Sequence, residues 1–141
     1  MRLPLVPPPL LLALSVLVGG LVGCNRPSYE TPVRAYQTFL RSVQRGDEKT
    51  AYATLSKPTQ DALQTRAQSV AQASSGAVKA DPIAFFLSNI PPPTDVAEVM
   101  LASEEGDVAR VSVVSSGVTK QVQMVRETSG WKIDLTQSLQ P

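Results

Sequence analysis

An α+β fold, helices first and then a four-stranded antiparallel meander, is what this sequence predicts, and three observations carry it. Between Thr31 and Ile90 apolar residues recur three and four positions apart, in segments that open on a capping residue, followed in three of the four by a proline. After Thr94 the apolar period changes to two. Short polar turns, "EEGD", "SSG" and "TSG", then divide the remainder into strands whose sequential neighbours must be antiparallel.

The first segment, residues 1–23, precedes this domain. Met1 and Arg2 lead into the charge-free run "LLLALSVLV", too short to cross a bilayer, which needs about 20 apolar residues. A positive start, a short apolar centre and small residues after it describe a secretory signal peptide. Leu21, Val22, Gly23 and Cys24 resemble a bacterial lipobox. That resemblance implies a diacylglyceryl group on the Cys24 sulfur, cleavage before it and acylation of the new amino group. The alternative is a free cysteine after an ordinary cleavage site or at the end of an uncleaved anchor. Two or three acyl chains, at about 0.8 kcal/mol per buried methylene, make detachment negligible. Residues 24–31 then read as a lipidated N-terminus and a short polar linker.

Thr31 and Pro32 suit the N-cap and first position of a helix whose apolar stripe is Val33, Tyr36, Leu40 and Val43, with Phe39 beside it, ending near Arg45. Gly46 suits the left-handed position that follows, and Asp47 caps a second helix through about Leu55. Ser56, Lys57 and Pro58 open a third, reaching to Gly76 on a thin apolar face, which predicts loose seating. Asp81 and Pro82 open a fourth, and Pro91 to Pro93 stop it. Strands are expected at 96–103, 107–115, 118–127 and 130–135. Ala109, Val111 and Val113 share one face of the second, Val118, Val122 and Met124 of the third, and Trp131, Ile133 and Leu135 of the fourth. Alternation puts Asp134 on the opposite, solvated face. Residues 137–141 form a tail without signal.

Composition narrows the chemistry. Lys plus Arg number 13 against 12 acids, and removal of Arg2 with the leader leaves 12 against 12, so no basic surface for nucleic acid is expected. Histidine is absent and Cys24 is the single cysteine, which removes His-based relays, zinc or haem ligation by those residues and any internal disulfide. No metal or other cofactor is expected. The acids of "EEGD" lack the spacing of a calcium loop and fit a polar hairpin tip.

Pro32, "RGDEKTAYATLS" at 45–56 and "SGWKIDL" at 129–135 together resemble the nuclear transport factor 2-like superfamily, which includes the SnoaL-type cyclases, and within it small bacterial lipoproteins of unknown function. The likeness spans residues 32–136. It implies a curved sheet wrapped around a long helix as a cone, with a cavity at the open end where some relatives bind or transform small apolar molecules. Tyr36, Phe39, Tyr52, Met124 and Trp131 are the candidate cavity-lining residues, and core packing is the competing role of each. No catalytic residue is assigned.

The expected protein is therefore a non-catalytic envelope lipoprotein. Its partners are membrane lipid, through acylated Cys24, and a small apolar ligand or an envelope protein. The alternative is a small isomerase or cyclase using a carboxylate buried in the cone. Export and lipid anchoring to the cell envelope follow, and Asn25 after the cysteine favours the periplasmic face of an outer membrane where the cell has two.

Overall fold

The computed structural model describes residues 26–140; the leader and the lipobox residues Leu21, Val22, Gly23 and Cys24 lie outside them. The order is α1 (Pro32–Gln44), α2 (Glu48–Ala53), α3 (Lys57–Ala73), α4 (Pro82–Asn89), then β1 (Val96–Glu105), β2 (Val108–Ser115), β3 (Val118–Glu127) and β4 (Gly130–Ile133), with a short 3₁₀ turn at Gln137–Leu139. Each α-helix starts on a side chain that accepts from its first turn: Thr31 from the Arg34 N–H, Asp47 from Thr50, Ser56 from Thr59, and Asp81 from Ile83 and Ala84. Pro32, Pro58 and Pro82 sit in first turns, where the missing N–H costs nothing.

The strands form one antiparallel sheet in sequence order. Ser116 and Gly117, both at positive φ (49° and 75°), make the tight β2–β3 turn, whose two left-handed residues match the twist of the strands. Ala109, Val111 and Val113 line up with Met124, Val122 and Lys120 across β3, and Met124 with Ile133 on β4. Against this face α1 lays Ala35, Tyr36 and Phe39, and α4 adds Phe86. Tyr36, Phe39 and Phe86 pack as tilted rings with centroids 5.8 and 6.2 Å apart. Leu63 and Ala67 of α3 are also buried, so the first part of this thin-faced helix is firmly seated.

Register shifts between Val96 and Glu98 and between Leu101 and Ser103 interrupt the β1–β2 ladder, and β1 is the open edge of the sheet, with Met100 and Leu101 exposed. The opposite edge is closed. Ile133 donates to the Thr54 carbonyl and its own carbonyl accepts from Ser56, both at 2.8 Å, while Trp131 donates to the Tyr29 carbonyl at 2.8 Å. Three differences from the sequence reading follow from this closure. The second helix stops at Ala53 because Leu55 leaves it to bridge Ile133. The fourth strand ends at Ile133, short of residue 135, because the Leu135 N–H is drawn to Thr59 Oγ1. The stretch read as linker is docked from Ser28, whose N–H and carbonyl both pair with Thr38 Oγ1 at 3.1 Å.

Gly130 is the tight point of the closed edge. Its φ is +109°, and a Cβ there would stand 2.5 Å from the Tyr29 carbonyl oxygen. Gly130→Ala is expected to cost about 3 to 5 kcal/mol in urea unfolding, from strain and the lost strap contacts together. Gly117→Ala, with positive φ but open space around it, is expected to cost about 1 to 2 kcal/mol. Equal losses would show that the Tyr29 contact contributes nothing.

Candidate functional site

Beside α1, on the same face of the sheet, the Val113 and Val118–Val122 end of β2 and β3 forms one wall of a cleft of about 580 Å³, and the three prolines after α4 form the other. Val113, Val118, Lys120 and Val122 contribute from the sheet, Tyr36 from α1 and Pro91 to Pro93 from the α4–β1 connection. A smaller apolar recess of about 90 Å³ shares Tyr36, the prolines and Val122 and reaches inward to Phe39, Phe86 and Ile133. Proline fixes the connection without presenting N–H groups, so the wall it makes is stiff and apolar.

The polar residues of this surface are Tyr36, Thr94, Ser115, Ser116 and Lys120. Tyr36 is 4% exposed, and its hydroxyl makes no hydrogen bond to any described residue. Burial pushes that hydroxyl up to a pKa of about 12, so it remains a neutral donor throughout the physiological range. Lys120 is exposed and lies cross-strand from Val113, on the same face as Val122. None of the acids of the chain lines either space. Largely apolar walls with a few hydroxyls and one ammonium can bury a hydrocarbon body and orient a polar or anionic end.

The structure separates the candidate lining residues. Tyr36 and Phe39 lie at the cleft and its recess. Tyr52 is half-buried beside α3 and donates to the Gln60 carbonyl at 3.2 Å. Met124 and Trp131 are fully buried within the core, and the Arg126 guanidinium stacks 4.7 Å over the Trp131 ring. Arg126 also pairs with Glu104, 3.2 Å away, and lies 4.0 Å from Asp107, so two acids of "EEGD" face an arginine at this hairpin tip. Among the described residues, no group of three or more acidic, cysteine or histidine residues is arranged to hold a metal ion.

Two charged residues depart from the sequence reading. Asp134 is not on a solvated strand face: its Oδ1 accepts from Ser56 Oγ (3.3 Å), Thr59 Oγ1 (3.2 Å) and the Thr136 N–H (3.2 Å), and its Oδ2 from Gln123 Nε2 (3.0 Å). It ties the start of α3, β3 and the C-terminal segment together. Lys132, unremarked in the sequence, is 7% exposed, donates to the Ala53 carbonyl at 2.8 Å and lies 4.0 Å over the Tyr29 ring. Burial lowers its pKa. The polar residues at 132 and 134 carried the period-two signal of an outward face. The docked segments that cover this face come from residues about 80 and 100 positions earlier, which no local pattern reveals.

No family model, curated protein or solved structure matches the chain.

The raised Tyr36 pKa gives a testable sign. A hydroxyl whose folded-state pKa lies above its ordinary 10.0 contributes stability that is complete below pH 10 and is lost as pH rises toward about 12. The alkaline loss of stability should therefore be smaller in Tyr36→Phe than in the unsubstituted protein. This comparison separates Tyr36 from Tyr29 and Tyr52, whose hydroxyls burial also pushes up. Identical alkaline profiles would place the Tyr36 hydroxyl in water.

Proposed function

We propose that this chain is a lipid-anchored protein of the bacterial cell envelope, held by acylated Cys24, whose nuclear transport factor 2-like domain binds a small apolar ligand without transforming it. The lipobox-like run Leu21 to Cys24 behind a short apolar leader supports the anchor. Helices preceding a four-stranded meander interrupted by register shifts, with α1 lying across the sheet, support the cone fold. The observation that carries the binding role is the cleft between Pro91–Pro93 and the β2–β3 face, walled mainly by prolines and valines, with Tyr36, Thr94, Ser115, Ser116 and Lys120 as its polar members. A ligand with a hydrocarbon body and one acceptor or anionic end fits that lining. The cyclase alternative needs an acid inside the cone, and the acids lie elsewhere.

Mass spectrometry of the native protein tests the anchor. The mature chain should begin at Cys24 with its acyl groups, and Cys24→Ser should leave the membrane fraction. A native chain that begins at Met1, or a serine variant that still sediments with membranes, would contradict the anchor.

A fluorescent anilinonaphthalene sulfonate probe tests the cleft. Emission should saturate with a single affinity. Val118→Asp, at a position 56% exposed and so tolerant of replacement, should weaken binding by about tenfold, equivalent to about 1.4 kcal/mol. Unsaturable emission, or unchanged affinity in the variant, would leave the cleft without a ligand and turn attention to a protein partner.

A further inference from the structure

The docked strap ends in a basic recess. Arg26 and Pro27 meet Thr38, Arg41, Ser42 and Arg45 of α1 and its C-cap, with Asp47 and Thr50 completing the wall of a space of about 70 Å³. Three guanidinium groups stand there against one carboxylate, that of Asp47, which caps α2 through the Thr50 N–H at 3.1 Å and also feels the charge of Arg45. Arg41 gives one N–H to Thr38 Oγ1 at 3.3 Å, while Arg26, Arg41 and Arg45 are all exposed. Arg34, two turns before Arg41 on the same side of α1, is exposed as well and pairs with Glu30 at 2.8 Å. Planar guanidinium forks of this kind match the oxygens of a phosphate, and a recess of this size takes one such group.

Position decides which phosphate. The strap is fixed at Ser28 by its two bonds to Thr38 Oγ1. Only Asn25 separates Arg26 from Cys24, two residue steps that span at most about 7 Å at 3.3 to 3.6 Å per residue. With acyl chains on Cys24 in the bilayer, the recess therefore lies at the level of the lipid headgroups. We propose that Arg26, Arg41 and Arg45 hold the phosphate of an anionic phospholipid headgroup, seating the outer side of α1 on the membrane and fixing the orientation of the domain. The proposal rests on the lipid-anchor reading and adds a second contact to it.

The test uses the purified mature protein, its intact mass read first so that an absent acyl group is seen separately from an absent headgroup contact. The protein is reconstituted in vesicles of phosphatidylcholine, with or without phosphatidylglycerol, and amide exchange is followed across residues 41–50. Exchange should slow several-fold when phosphatidylglycerol is present, and Arg41→Gln/Arg45→Gln should lose that difference while keeping the melting temperature of the parent in detergent. A variant with a lowered melting temperature is replaced by Arg26→Gln, for which the same loss is expected. Equal exchange of the acylated protein in both vesicle types overturns the proposal. So does inorganic phosphate in detergent that slows exchange as much as the anionic vesicles do, since the site would then hold free phosphate.

Discussion

The closed edge of β4 is the constraint on which the rest of this structure depends. A strand of four residues has too few ladder bonds to hold a sheet edge alone, and here its free side is paired by two segments from distant parts of the chain. Thr54 and Ser56 bracket Ile133, and Tyr29 meets Trp131. These bonds fix the α2–α3 link and the N-terminal strap to the sheet, and through them the helices that cover its apolar face. Lys132 completes the arrangement: its ammonium lies over the Tyr29 ring and donates to the Ala53 carbonyl, so one side chain joins both segments.

This closure has consequences for function. A strap that begins to dock at Ser28 leaves little loose chain between the domain and Cys24, so an anchored protein would be oriented as well as retained. The mouth of the cleft at Val118 and the Tyr29 contact beyond Glu127 lie at opposite ends of β3, a strand about 30 Å long at roughly 3.3 Å per residue. The N-terminal strap and the cleft thus occupy different ends of the sheet, and a molecule entering the cleft would not displace the strap. Among the described residues, no segment closes the β1 edge in this way, and its Met100 and Leu101 are exposed.

Much of the fold was legible because its signals are local. Thr31, Asp47, Ser56 and Asp81 each cap the helix expected of them, the prolines fall in first turns, and the meander follows the period of two and the polar turns. The illegible parts are those made by long-range pairing. Nothing near Leu55 says that it leaves a helix to bridge Ile133, and nothing near Asp134 says that two hydroxyls 75 and 78 positions away will bond its carboxylate. At the candidate site, Tyr36 and Phe39 could be named from the helix stripe. Pro91 to Pro93 read only as a helix stop, although they form a wall of the cleft, and Met124 and Trp131 carry the same apolar signature whether they line a pocket or fill a core.

The most direct test of the closed edge is native-state hydrogen exchange at the Trp131 and Ile133 amides. Paired to Tyr29 and Thr54, both should exchange only through global unfolding, with the same free energy as the buried Val111 amide in the middle of the sheet. Rapid exchange at these two amides, as at an open sheet edge, would mean that the strap and the α2–α3 link are not held there, and the account of the fold would fail with them.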